Sequence, residues 1–141
     1  MTDIENAKAN LYGHSICLCR GGDIIVDDGR GISPMIRFIK EGIDLTGYSA
    51  ADVIVGKAAA LLFLKAGITE VYGKVMSKSA KNILAQNGIP CSFDTLTDRI
   101  INRAGTDICP MEKTVADIDL PEEAFDALCR KLEKLRGSSH K

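Results

Sequence analysis

Short apolar runs, separated by glycine, proline and capping residues, divide the 141-residue chain into alternating helix and strand signals. Thr2-x-x-Glu5 is a capping-box pattern and predicts a short helix to about Leu11, stopped at Gly13. Ser15 to Arg20 and Asp23 to Val26 read as two strands of a hairpin that turns on Gly21-Gly22, since both glycines accept positive φ. Ser33-Pro34 supplies an N-cap and a first helical residue for a helix that carries Ile36, Phe38 and Ile39 and ends near Gly42. Ser49-x-x-Asp52 repeats the capping-box pattern and predicts a helix reaching Ala66, with Gly56 inside it. A glycine there costs about 1 kcal/mol relative to alanine, so it marks the close approach of a neighbouring backbone or ligand.

From Ala58 to Leu64 that helix is apolar on every side, which predicts burial over most of its surface. Gly67 ends it and Thr69 to Met76 read as a strand. Ser77 caps the next helix, whose Ala80, Ile83 and Leu84 share one face before Asn87-Gly88 stops it. Ile89 to Thr95 is a fourth strand, and Pro90 argues for an edge position because proline cannot donate to a ladder. A polar loop follows, then a short helix with Cys109 at N-cap, Pro110 at N1 and Glu112 at N3. Asp119-x-Pro121 opens the last helix, with Phe125, Leu128, Cys129, Leu132 and Leu135 on one stripe. A single domain over residues 1–137 and a tail over 138–141 are expected. A hairpin followed by helix–strand alternation predicts a three-layer α/β/α sandwich on a mixed β-sheet.

Composition narrows the function classes. A formal net charge of −1 argues against a nucleic-acid footprint, which needs clustered Lys/Arg excess. The basic run from Arg130 to Arg136 follows acidic Glu122, Glu123 and Asp126, an order that suits a helix dipole. The N-terminus has no signal-like apolar segment, and no apolar run is long enough to span a bilayer. Five cysteines without C-x-x-C spacing, and two histidines, give no support to a sequence-encoded zinc site. A reduced, cytoplasmic protein without a metal or cofactor is expected.

Chemistry concentrates in Asn102-Arg103-Ala-Gly-Thr106-Asp107-Ile-Cys109-Pro110-Met-Glu112. Cys109 at a helix N-cap is either a half-buried capping residue or a thiolate nucleophile favoured by the dipole. Glu112 either closes a capping box or acts as an acid/base beside it. Asn102 and Arg103 either tie a long loop to backbone carbonyls or grip a phosphate or carboxylate. Ser77 and Lys78 open a helix straight after a strand, at the sheet edge where ligands gather. Lys57 snorkels, pairs with an acid such as Asp52, or faces a pocket. Arg30 either reaches a ligand or, on the plainer reading, belongs to a solvated turn, and His14 is a surface residue or is satisfied locally.

The order of elements resembles the cytidine-deaminase-like fold, whose zinc enzymes carry His/Cys-Ala-Glu on one helix start and Pro-Cys-x-x-Cys on the next. On the matching positions stand Val55 for the first ligand, Lys57 for the glutamate, and Ser77 and Ala80 for the two cysteines. None of these can build the tetrahedral site that activates water, so zinc-dependent deamination is the activity this sequence argues against. A closer resemblance is to the family of domain of unknown function 1893. It is carried by Gly29-Arg30-Gly31-Ile32, Val55 to Leu62, Ser77 with Ala80, and Asn102-Arg103 with Cys109 to Glu112. That resemblance implies the fold without zinc ligands and brings no reaction with it.

The leading expectation is a protein that binds a nucleotide or other phosphorylated nucleoside-like molecule. Lys57, Ser77, Lys78, Asn102, Arg103 and Glu112 are its candidate contacts, and it forms no complex with nucleic acid or membrane. One rival is an enzyme with Cys109 as covalent nucleophile. The other is a non-catalytic scaffold that forms a homo-oligomer.

Overall fold

A computed structural model of the chain describes residues 1–102 and 104–139. Along them run α1 (Asp3–Leu11), β1 (Ile16–Arg20), β2 (Asp23–Asp27), α2 (Ser33–Lys40), β3 (Ser49–Val55) and α3 (Lys57–Ala66). Then come β4 (Glu70–Ser77), α4 (Lys78–Gln86), β5 (Cys91–Thr97), α5 (Pro110–Val115) and α6 (Pro121–Ser139). The strands form one mixed sheet in the order β2-β1-β3-β4-β5. β1 is antiparallel to both β2 and β3, whereas β3, β4 and β5 are parallel. The helices cover both faces, giving an α/β sandwich.

Locally encoded features fold as their residues dictate. The Thr2 hydroxyl accepts from the Glu5 N–H at 3.3 Å and the Glu5 carboxylate accepts from the Thr2 N–H at 3.2 Å, closing the capping box of α1. The Ser77 hydroxyl accepts from the Ala80 N–H at 3.1 Å and caps α4. Gly67 ends α3 at φ 82°, a left-handed position that glycine takes without steric cost. β5 is an edge strand, and Pro90 lies just outside its first residue. α2 begins one residue off expectation, with Ile32 rather than Ser33 at its N-cap.

The segment Ser49–Val55 departs from the predicted helix: it is the central strand β3. Ser49-x-x-Asp52 mimics a capping box, but Ser49 to Asp52 are buried in succession, so both faces of this part of the run are covered. A near-continuous apolar run is what a parallel strand inside a sandwich requires. Its β-branched Val53, Ile54 and Val55 favour the extended backbone. Gly56 is consequently the N-cap of α3, with extended backbone, and not a helix-interior glycine. At the other end of the chain α6 continues through Gly137 to Ser139.

Two apolar layers hold the sheet. On one face α1 lays Ile4, Ala7 and Leu11 over Cys17, Cys19, Ala51 and Tyr72. Burial there pushes the Cys17 thiol up to about 12, which keeps it protonated and inert. On the other face α2, α3 and α4 form the larger core, and α6 packs on the outer side of α3. α3 thus has apolar neighbours on opposite sides, the sheet beneath and α6 above. Its all-round apolar sequence is satisfied by that double contact, with Ala58 to Phe63 all buried.

Candidate functional site

A cleft of about 980 Å³ opens at the carboxyl end of β3. Its base is Asp52 to Ile54 and the start of α3; the β2–α2 loop, Ile100 to Asn102, Ala104, Cys109 to Glu112, and Leu132 and Leu135 of α6 wall it. Most of these side chains are apolar, and a few polar groups converge among them, the usual make-up of a small-molecule site.

Gly56 decides how the cleft's inner end is built. A Cβ at this position would overlap the Glu112 carboxylate, so only glycine lets that carboxylate reach the first turn of α3. Glu112 Oε1 accepts from the Lys57 N–H at 2.8 Å and Oε2 from the Ala58 N–H at 2.9 Å. Two of the helix's unpaired N-terminal amides are thereby satisfied by one anion, in the geometry in which helix starts bind external anions. Glu112 lies at N3 of α5 as its spacing implies, yet it serves another helix.

Around this junction stand three further groups. His14 Nδ1 and Asp28 Oδ1 are 2.6 Å apart, joining the α1–β1 turn to the β2–α2 loop at the cleft wall. Arg30 is exposed at the rim; its carbonyl accepts from the Ser33 N–H at 3.1 Å, and its guanidinium has no ion-pair or hydrogen-bond partner among the described residues. Asp52 is 7% exposed and has no ion pair among the described residues. Burial pushes its carboxyl up to about 8, against the pull of the Ile54 and Val53 amides, so the acid keeps its proton at neutrality.

A family model described as a domain of unknown function, DUF1893, matches residues 8–132. The chain belongs to the DUF1893 family. A crystal structure of a DUF1893 protein from Thermotoga maritima is similar to it, with 27% sequence identity and a TM-score of 0.83. The match covers 93% of this chain and 91% of that one. No curated protein matches the chain.

The residues that sequence reasoning selected in this DUF1893 chain separate into two groups. Asn102, Cys109 and Glu112 line the cleft. Asn102 spends its side chain on its own loop, accepting from the Thr106 N–H at 3.0 Å and lying 3.3 Å from the Thr106 hydroxyl. Cys109 is half-buried at the N-cap of α5 and makes no side-chain cap bond. Lys57, Ser77 and Lys78 lie apart from the cleft lining. The Lys57 amine donates to the Ala116 carbonyl at 3.1 Å and pairs with Asp119 at 2.9 Å, fastening α3 to the α5–α6 connection. Lys78 pairs with Asp98 at 2.7 Å, and Ser77 is the α4 cap. Arg103 lies outside the described residues.

Three cleft groups in the DUF1893 chain stand outside the contacts selected from sequence: Asp52, the His14–Asp28 pair, and Arg30, which reads there chiefly as part of a solvated turn. One signal for Asp52 was present, a lone acid in an otherwise apolar run, which burial makes expensive unless it is neutral or paired. Nothing local marks His14 and Asp28 as partners. Among the described residues no group of three or more His, Cys, Asp or Glu is placed to hold a metal ion, and no helix is long and apolar enough to cross a membrane.

Proposed function

We propose that the cleft binds a small nucleoside-like molecule, with an apolar planar body against Ile54, Ile101 and Met111 and an anionic end at Arg30. One observation carries this reading: a large, mainly apolar cleft in which a buried acid without an ion-pair partner and an unpaired guanidinium share the lining. Arg30 is suited to a phosphate because its planar fork offers paired donors. The proposed resemblance to the cytidine-deaminase-like fold supports the same reading. In it Val55, Lys57, Ser77 and Ala80 take the places of the metal ligands and catalytic glutamate. An isopropyl group, a salt-bridged ammonium, a capping hydroxyl and a methyl do not fit zinc.

Calorimetric titration with cytidine and adenosine 5′-monophosphates tests the reading. Arg30→Ala is expected to weaken binding about tenfold, the worth of a charge-assisted contact. Lys78→Ala, at a residue already paired elsewhere, is expected to leave it unchanged. Absence of heat and of any melting-temperature shift at millimolar nucleotide ends the proposal.

A second reading, with Cys109 as a covalent nucleophile, is favoured by the His14–Asp28 pair in the same cleft, since a carboxylate-held imidazole is the usual partner of such a thiol. Burial raises the other four thiols above their ordinary value. Iodoacetamide at neutral pH is expected to label Cys109 first, followed by mass spectrometry of the peptides. Uniform labelling, or slower labelling of Cys109 than of Cys91 and Cys129, removes this reading.

A further inference from the structure

Asp52 occupies an unusual place for an acid. In the sheet it stands opposite Ile16 of β1 and Gly73 of β4, neither of which offers a charge. It nevertheless belongs to the cleft lining. An ionised carboxylate held there would need a cation or several donors to offset its lost hydration; the Ile54 and Val53 amides face it, and burial outweighs them. The charged groups nearby are otherwise engaged or distant in role. From the α1–β1 turn comes His14, held by Asp28; the β2–α2 loop supplies Asp28 itself and Arg30 at the rim. The approach to α5 contributes Cys109, and α5 contributes Glu112, bound to the α3 amides. α3 adds Ala58 and Ala59 to the lining while its Lys57 amine turns to Asp119, and α6 adds Leu132 and Leu135. α1 packs on the opposite face of the sheet.

We propose that Asp52 selects the buried end of the ligand, donating its carboxyl O–H to a carbonyl or imine acceptor on an uncharged planar group and excluding a buried anion. The inference rests on the small-molecule reading of the cleft and specifies its recognition chemistry. The two ends of the cleft then have opposite tastes. Arg30 takes an anion at the solvent edge, and Asp52 takes a neutral acceptor at the base. Asp28, Glu112 and Arg30 are the other charged side chains of the same lining, and burial is what favours the protonated form. A carboxylate there would repel the acceptor it had served as an acid, so binding is lost as Asp52 ionises.

The probe is cytidine 5′-monophosphate, whose base carries a carbonyl and an imine nitrogen and does not titrate between pH 7 and 9. Ribose 5-phosphate, which lacks the base, is the control. Calorimetry on the full chain is expected to show affinity for cytidine 5′-monophosphate falling about tenfold from pH 7 to pH 9, as an acid with a value of about 8 ionises. Asp52→Asn keeps a donor of similar shape, so it is expected to bind with no such pH dependence. Asp52→Ala is expected to bind weakly throughout, and ribose 5-phosphate weakly and without pH dependence. A pH-independent wild type, an unaffected Asp52→Ala variant, or equal affinity for ribose 5-phosphate overturns the role of Asp52 and leaves the cleft reading standing. No binding of either nucleoside monophosphate by the wild type overturns both.

Discussion

Replacing Asp52 with asparagine is expected to remove a large pH dependence of folding stability. The folded chain holds this proton up to about pH 8, whereas the unfolded chain releases it near the ordinary carboxyl value of 3.8. Below the unfolded value both states are protonated, and the wild type has its full stability. As pH rises past it, only the unfolded chain ionises, so stability falls by up to about 1.4 kcal/mol per pH unit. The loss levels off once the folded acid ionises too, after a total on the order of 6 kcal/mol. Asparagine never titrates, and the remaining groups are common to both proteins. Urea unfolding at a series of pH values should therefore give a wild-type-minus-variant difference that drifts steadily between about pH 4 and pH 8. Parallel curves would show that Asp52 is not held as a buried acid.

The second large effect concerns the contact between Gly56 and Glu112. Removing the carboxylate with Glu112→Ala leaves the Lys57 and Ala58 amides without their acceptors at a half-buried helix start. Hydrogen bonds to a charged group contribute about 1.5–3 kcal/mol each, so a loss of roughly 3 kcal/mol is expected. Gly56→Ala should cost a similar amount for a different immediate reason. The backbone of Gly56, at φ −98°, accepts alanine, but the new methyl evicts the carboxylate. Once Glu112 is already gone, the methyl meets no carboxylate. The double variant should thus be no less stable than the worse single variant, giving a coupling energy close to one full single-site effect. Additive losses in chemical denaturation would break this account.

These two residues also mark how far the sequence could be read. Elements governed by near neighbours were legible: the Thr2–Glu5 box, the Gly21-Gly22 hairpin, the Ser77 cap and the Gly67 stop each need only a few adjacent residues. Ser49–Val55 was not, because its first four residues carry the same letters as a helix start. Only β1 and β4 on either side make them a strand. The all-round apolar character of α3 was visible, but the element that covers its outer side, α6, lies more than fifty residues later.

The candidate site was half legible for the same reason. Sequence pointed to the segment ending at Glu112, and its Asn102, Ala104 and Cys109 to Glu112 line one wall of the cleft. It also pointed to Lys57 and Lys78, because a charge is visible in a sequence while its partner is not. Asp119 and Asp98 supply those partners. Glu112 had an adequate local explanation at N3 of its own helix, which concealed a bond to a helix start 55 residues earlier in the chain.

That bond has a dynamic consequence. The wall of the cleft that includes Cys109 is attached to α5, and α5 is anchored through Glu112 to the first turn of α3. The wall therefore cannot swing outward with α5 while those amides keep their acceptor. Widening of the cleft along that wall is coupled to the loss of the two Glu112 bonds.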